Sequence, residues 1–341
     1  MTAGVTASGY QGPPELTVAR AFTSWTLDLP VLAAVLLAGT LYLAGVYRVR
    51  RTGGRWPAGA VAAFCAGGLG VLVIATMSFL GVYQGVLFYA RAVQTVLLLL
   101  AAPLFLALGR PVSLAIASLP RAGRRVQALV ASRAARVLTF PAITALAVVG
   151  VGFVLYFTPW YEAGLRSDLV RELTYLALLA PGLVFFWTLL RVDPVPRAYP
   201  YLVALWVTGV EVVGDAVLGL AIMADQNLIA GSYYRALGRP WGPGLRADQV
   251  VGGGALWLLG DLIGLPFLAA MLIQMAREDD KEARAVDAEL DAADAAAGAP
   301  GAGPAAGAGA APGTVGTTGT AQPWWESDPR FTGRFRRPGG A

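Results

Sequence analysis

Seven apolar runs, near 27–47, 58–80, 87–109, 138–158, 169–190, 199–223 and 250–275, divide the chain at intervals of polar sequence. Each approaches the ~20 residues an α-helix needs to cross a hydrocarbon core. The pattern predicts an all-α, polytopic membrane protein with seven transmembrane helices. The third run, Tyr89–Pro111, carries Arg91, Gln94 and Thr95 at positions that share one helical face. A charge inside a membrane helix costs ~2.5–3.5 kcal/mol by insertion scales, so Arg91 is expected to face the protein interior.

Charge in the connections orients the predicted helices. Loops 48–57, 110–137, 191–198 and 276–285 hold fifteen Lys and Arg residues, whereas the N-terminus and loops 81–86, 159–168 and 224–249 hold five. The positive-inside rule then places the N-terminus outside and the C-terminus in the cytoplasm. Trp25, Trp56, Trp160, Tyr161, Tyr199, Tyr201, Tyr233 and Tyr234 fall at run ends, where amphipathic rings favour the headgroup level.

Four regions follow. Residues 1–26 form an extracytoplasmic N-terminal segment without the basic n-region of a cleaved signal peptide. Residues 27–275 form the membrane domain, and 276–297, rich in helix formers and charges, form a cytoplasmic helical extension. Residues 298–341 form a disordered Ala/Gly/Pro-rich tail. Its end interleaves Trp324, Trp325 and Phe331 with Arg330, Arg334, Arg336 and Arg337, a pattern suited to contact with an anionic inner leaflet.

Composition agrees with a bilayer as the main partner: 56% of residues are hydrophobic and 14% charged, with mean hydropathy +0.60. The chain contains no His, which removes the usual general base and the commonest metal ligand together. A single cysteine, Cys65, provides neither a disulfide framework nor a thiolate metal site. No nucleophile stands beside a base, and Gly252–Gly254 lacks the strand and Lys of a phosphate loop. No enzyme activity and no cofactor are expected. The net charge of +5 resides in loops rather than on one compact face, so no nucleic-acid partner is expected.

The candidate chemistry lies in intramembrane polar residues: Arg91, Gln94 and Thr95, then Arg171, Glu172 and Tyr175, then Glu211, Asp215 and Asp261. Two basic and two or three acidic groups at comparable depth are expected to pair, which offsets the cost of burying each alone. Two readings stand side by side, a polar pocket open to the outside and a structural ion-pair cluster. Met77 and Met223 are weak candidates for soft Cu(I) ligation, with core packing as the plainer role. Pro103 and Pro181 are expected to kink their helices.

Several stretches carry a family resemblance. Gln94 through LLLLAAPLFLALGRPVSLA, then FPAITAL, LYFTPWYEAGLRSDLVRELTYLALLAPGLVFFW, RVDPVPRAYPY, DAVLGLAIM, SYYRALGRPWG, ADQVVGGGALWLLGDLIGLP and REDDKEARAVDAELD run in order over about residues 25–290. This sequence resembles the CtaG-type cytochrome c oxidase assembly proteins. The resemblance implies a multi-pass protein of the bacterial plasma membrane that supplies copper to, or helps assemble, a respiratory oxidase. It also implies membrane His ligands at positions that here hold Arg91, Thr95, Arg171, Tyr175 and Asp215, while Gln94, Asp193-Pro194, Gly219, Met223, Asp248-Gln249, Gly252–Gly254 and Trp257 keep the pattern. The expected function is assembly or stabilisation of a cytochrome c oxidase by interaction with its subunits, without the family's copper ligands. The alternatives are a small-solute or ion translocator built on the Arg/Asp cluster, and copper handling through methionine.

Overall fold

The computed structural model describes residues 9–197 and 199–297, and every regular element among them is helical. The expectations for the tail at 298–341 lie outside the described residues. The chain divides into a unit that ends at Asp280 and a second that begins at Lys281. The described part of the second is helical as far as Ala297.

Among the described residues six helices are long and apolar enough to cross a membrane. They are α1 (Leu29–Arg51), α2 (Ala58–Tyr83), α3 (Phe88–Ser118), α5 (Asp168–Leu190), α6 (Tyr201–Ala224) and α7 (Leu245–Ala297). Between α3 and α5 lies α4 (Pro141–Phe157), which bends by 69° into a short helix, Trp160–Arg166; taken as one span, this pair makes seven. Local chemistry sets several of the starts. The Asp28 side chain accepts from the Val31 N–H at the head of α1, and Ser167 does the same for Val170 in α5, which satisfies amides a helix cannot pair internally. Arg48, Arg50 and Arg51 close α1, where the negative end of the helix dipole favours them.

The third span is the axis of the bundle. In its most apolar window 72% of residues are buried, against 17% for α1. Leu98, Leu99 and Leu100 within it join Val148 of α4, Phe185 of α5 and Ile222 of α6 in the main core.

Its path departs from a regular helix for identifiable reasons. Pro103 has no N–H to offer the Leu99 carbonyl, and the turn before it, Leu97–Ala101, widens to π-helical hydrogen bonding, a bulge that re-registers a helix without ending it. Gly182 of α5 passes the freed carbonyl so closely that a Cβ there would run into the Leu99 oxygen. After Gly109 the chain turns through Arg110 in the left-handed region (φ 55°) and resumes as Pro111–Ser118.

Helix content exceeds the sequence expectation in several of the connections, among them Trp160–Arg166 and Gly231–Leu237. The stretch expected as loop 110–137 contains helices Pro111–Ser118, Pro120–Val130 and Arg133–Leu138. The first two begin on a proline whose fixed φ suits the first helical turn. The seventh span begins at Leu245 rather than near 250, because the polar residues Asp248 and Gln249 belong to its first turns. The glycines of this span pack as expected, with a Cβ on Gly253 approaching the Gly219 carbonyl.

Gly182→Leu is expected to overpack the α3–α5 crossing and destabilise the protein by about 1–3 kcal/mol. Unfolding in mild detergent with increasing SDS measures it; an unchanged midpoint would show that the crossing is not tight.

Candidate functional site

The polar residues singled out by sequence fall into three groups rather than one. The first surrounds Arg91 on α3. Its side chain is 2% exposed, and its guanidinium carbon lies 5.1 Å from the centre of the Tyr161 ring. A Cβ on Gly164 would sit 2.7 Å from Nη2, so the guanidinium lies close against the bend after α4. Tyr156, Tyr161 and Phe88 pack on one another with ring centres 5.2–5.7 Å apart. The Tyr161 and Tyr234 hydroxyls are 2.9 Å apart, and Tyr156 reaches the Thr95 hydroxyl at 3.1 Å.

The expected pairing of Arg91 with a membrane carboxylate is not what the structure contains. Among the described residues Arg91 makes no ion pair; the Tyr161 ring face meets its charge instead, an interaction worth ~2 kcal/mol or more when desolvated. Tyr161 and Tyr234, expected at the headgroup level, are 1% and 5% exposed. They turn inward because their rings cover a buried cation while their hydroxyls satisfy each other. Burial pushes the Tyr234 phenol above its ordinary value, with the Tyr161 hydrogen bond and Arg91 opposing the shift.

Gln94 faces a different neighbour from Arg91. Its Nε2 donates to the Ala75 carbonyl at 2.8 Å and to the Tyr175 hydroxyl at 3.4 Å, and Tyr175 donates to Gln84 Oε1 at 2.9 Å. Tyr175 links this group to the second, at the head of α5. There Arg171 pairs with Asp168 and, at 3.5 Å, with Glu172. The Glu172 carboxyl also meets Asp28 at the start of α1.

The third group lies deeper, between α6 and α7. Glu211 and Asp215 are 2% and 7% exposed and in side-chain contact with each other. They pack on the Gly260 and Gly264 side of α7, and Asp261 follows with a buried Oδ1 that has no hydrogen-bond partner. Asp215 thus joins other acids rather than the two arginines.

Residues that did not stand out as a site in the sequence hold these groups in place. Asp248 of α7 accepts from the Phe88 and Tyr89 N–H groups at 3.1 and 3.0 Å, capping α3 from another span. Arg239 reaches the same carboxylate at 3.2 Å, with both side chains about 97–98% buried. Gln249 accepts from Ile229 N–H and donates to the Ile222 and Asn227 carbonyls. In the same way Asp193 accepts from Val112 and Ser113. The sequence signal for Asp193, Asp248 and Gln249 was that they keep the pattern of the family resemblance, without any indication of what they hold.

This donor set does not fit a copper site. Arg91 and Arg171 offer no lone pair, Thr95 donates to the Arg91 carbonyl, the Tyr175 phenol is engaged by Gln84, and Asp215 sits apart with Glu211. Met77 is buried at the far end of α2, where its carbonyl accepts from Thr26. Met223 lies against Gly253 at the α6–α7 crossing.

Comparison with known proteins supplies the family. A family model described as cytochrome c oxidase caa3 assembly factor matches residues 40–278. Uncharacterized proteins of Mycobacterium leprae, Mycobacterium bovis and Mycobacterium tuberculosis are each 30% identical over 292 residues, covering 83% of this chain and 44% of the relative. The chain thus spans less than half the length of the curated relatives it matches. No solved structure matches it.

Asp248→Asn should leave Arg239 buried without a counter-charge and cost about 3–5 kcal/mol. Arg239→Gln in the same background should recover part of that loss, and strictly additive losses in a double-mutant cycle would contradict the clamp. At the aromatic box, Tyr161→Phe should cost about 1 kcal/mol for the lost hydroxyl contact, and Tyr161→Leu about 1–2 kcal/mol more for the lost ring face. Equal losses would show that Arg91 does not depend on the ring.

Proposed function

The chain belongs to the cytochrome c oxidase caa3 assembly factor family, and on that premise we propose that it acts as a bacterial plasma-membrane scaffold that stabilises oxidase subunits during assembly, without itself passing copper. The observation that supports this reading is the combination of a family match spanning 40–278 with site positions filled by committed side chains. Arg91 is held by aromatic rings, Tyr175 by Gln84, and Arg171 by its carboxylates. A network of this kind keeps one arrangement of helices, which suits a protein that presents a fixed surface.

The loop charges orient it with the N-terminus outward and the Arg-rich 48–57 and 110–137 connections in the cytoplasm. Its partners in this reading are the bilayer and subunits of the oxidase. A translocator reading would need Arg91, Arg171 and Asp215 in one site, and their contacts place them in separate groups.

A deletion strain tests the proposal. Loss of the gene should lower assembled oxidase, measured as haem absorbance and oxidase activity in membranes. A Met77→Ala, Met223→Ala double variant should restore both in full. A deletion strain with normal oxidase content would overturn the assembly role, and failure of the methionine variant at normal abundance would return copper handling to the protein.

A further inference from the structure

Two cavities meet at the head of α5. One, about 470 Å³, is an apolar slot between α1, α2, α3 and α5, with walls that include Val35, Ala38, Phe64, Leu106, Leu179 and Leu183. The other, about 510 Å³, is polar and lined by Asp28, Gln84, Asp168, Arg171 and Glu172. Pro30, Thr76 and Glu172 belong to both, so the polar space forms the mouth of the slot. Each volume falls in the ~300–1,000 Å³ range of small-molecule sites.

The depth of the slot has a physical meaning. Pro30 to Ala38 along α1 and Glu172 to Leu183 along α5 correspond to about 12 and 16 Å at the helical rise. That is roughly half the ~30 Å hydrocarbon core, the reach of one acyl chain from one leaflet. Leu176 on the slot wall is 61% exposed, so the slot opens sideways toward lipid. The mouth lies where α1 and α5 begin, at headgroup level.

The charges at the mouth select the headgroup. Asp28, Asp168 and Glu172 set three carboxyl groups, two of them in contact with each other, against the one guanidinium of Arg171. Arg171 spends two nitrogens on Asp168 and Glu172, while its buried Nε has no hydrogen-bond partner. We propose that this site binds a phospholipid with a primary-amine headgroup: the ammonium meets Asp28 and Glu172, the phosphate lies beside the Arg171 guanidinium, and one acyl chain fills the slot. An anionic headgroup would bring its phosphate to the same arginine but would meet the two carboxylates without a cation.

The test uses the full chain in nanodiscs doped with phosphatidylethanolamine or phosphatidylglycerol, each carrying a photoreactive diazirine in the acyl chain. Adducts are mapped by peptide mass spectrometry. Phosphatidylethanolamine should label the Val35 and Leu179 peptides about fivefold more than phosphatidylglycerol, the ratio given by ~1 kcal/mol of ion pairing. Glu172→Gln should bring that ratio near one. Ala38→Phe should remove slot labelling while leaving labelling of the peptide that carries the exposed Trp206 unchanged, which also reports that the variant is folded. Labelling spread evenly over all exposed helix faces, an equal yield from both lipids, or a preference that survives Glu172→Gln would overturn the proposal.

Discussion

Every helix start inside or beside a membrane presents amides that lipid cannot satisfy, and this protein meets that constraint at its most buried span with carboxylates borrowed from other elements. The head of α3 is capped by Asp248 of α7, and its continuation after Gly109 by Asp193 from the loop beyond α5. Each carboxylate takes two backbone N–H groups, which offset part of the cost of burying it. Because the caps come from far along the chain, the position of α3 is tied to those of α5 and α7. Arg239 completes the arrangement by neutralising Asp248 and lying 5.1 Å from the centre of the Trp241 ring, where Tyr83 and Tyr10 bring in the N-terminal segment.

The same economy of partners explains the polar residues at depth. Arg91 could have met a carboxylate, yet the nearest elements offer tyrosine rings and a glycine, and the cation rests on them. The acids of α6 and α7 face one another across glycines. Hydroxyls and amides carry the links between helices: Tyr175 to Gln84, Tyr156 to Thr95, and Trp160 to Thr174. Few donors remain free among these links, and that is the physical basis for reading the bundle as a scaffold. The α1–α5 slot adjoins this network through Tyr175 on its wall and Gln84 at its mouth, while the rest of its wall is largely apolar.

Much was legible in the sequence because the bilayer acts on residues one segment at a time. Hydropathy alone separates the spans, since a run of apolar residues long enough to cross must be helical to satisfy its own backbone, and Arg91, Gln94 and Thr95 announce an inward face by their cost in lipid. The Pro103 site was readable as a disturbance, although its form, a π-helical turn with Gly182 against the Leu99 carbonyl, was not. The helices within 110–137 were missed because a short Arg-rich amphipathic stretch carries no membrane-length signal.

The sequence by itself determined the helical class, the approximate spans, the burial of the intramembrane charges and the family likeness, because hydrophobic length and local chemistry act within a single segment. Only the tertiary structure decided which charges meet. Whether Arg91 faces Asp215 or Tyr161, whether Tyr161 lies at the interface or in the core, and that Asp248 caps Phe88 at a separation of 160 residues all depend on how helices rotate and cross. That rotation follows from side-chain packing between segments, which no single stretch of sequence contains.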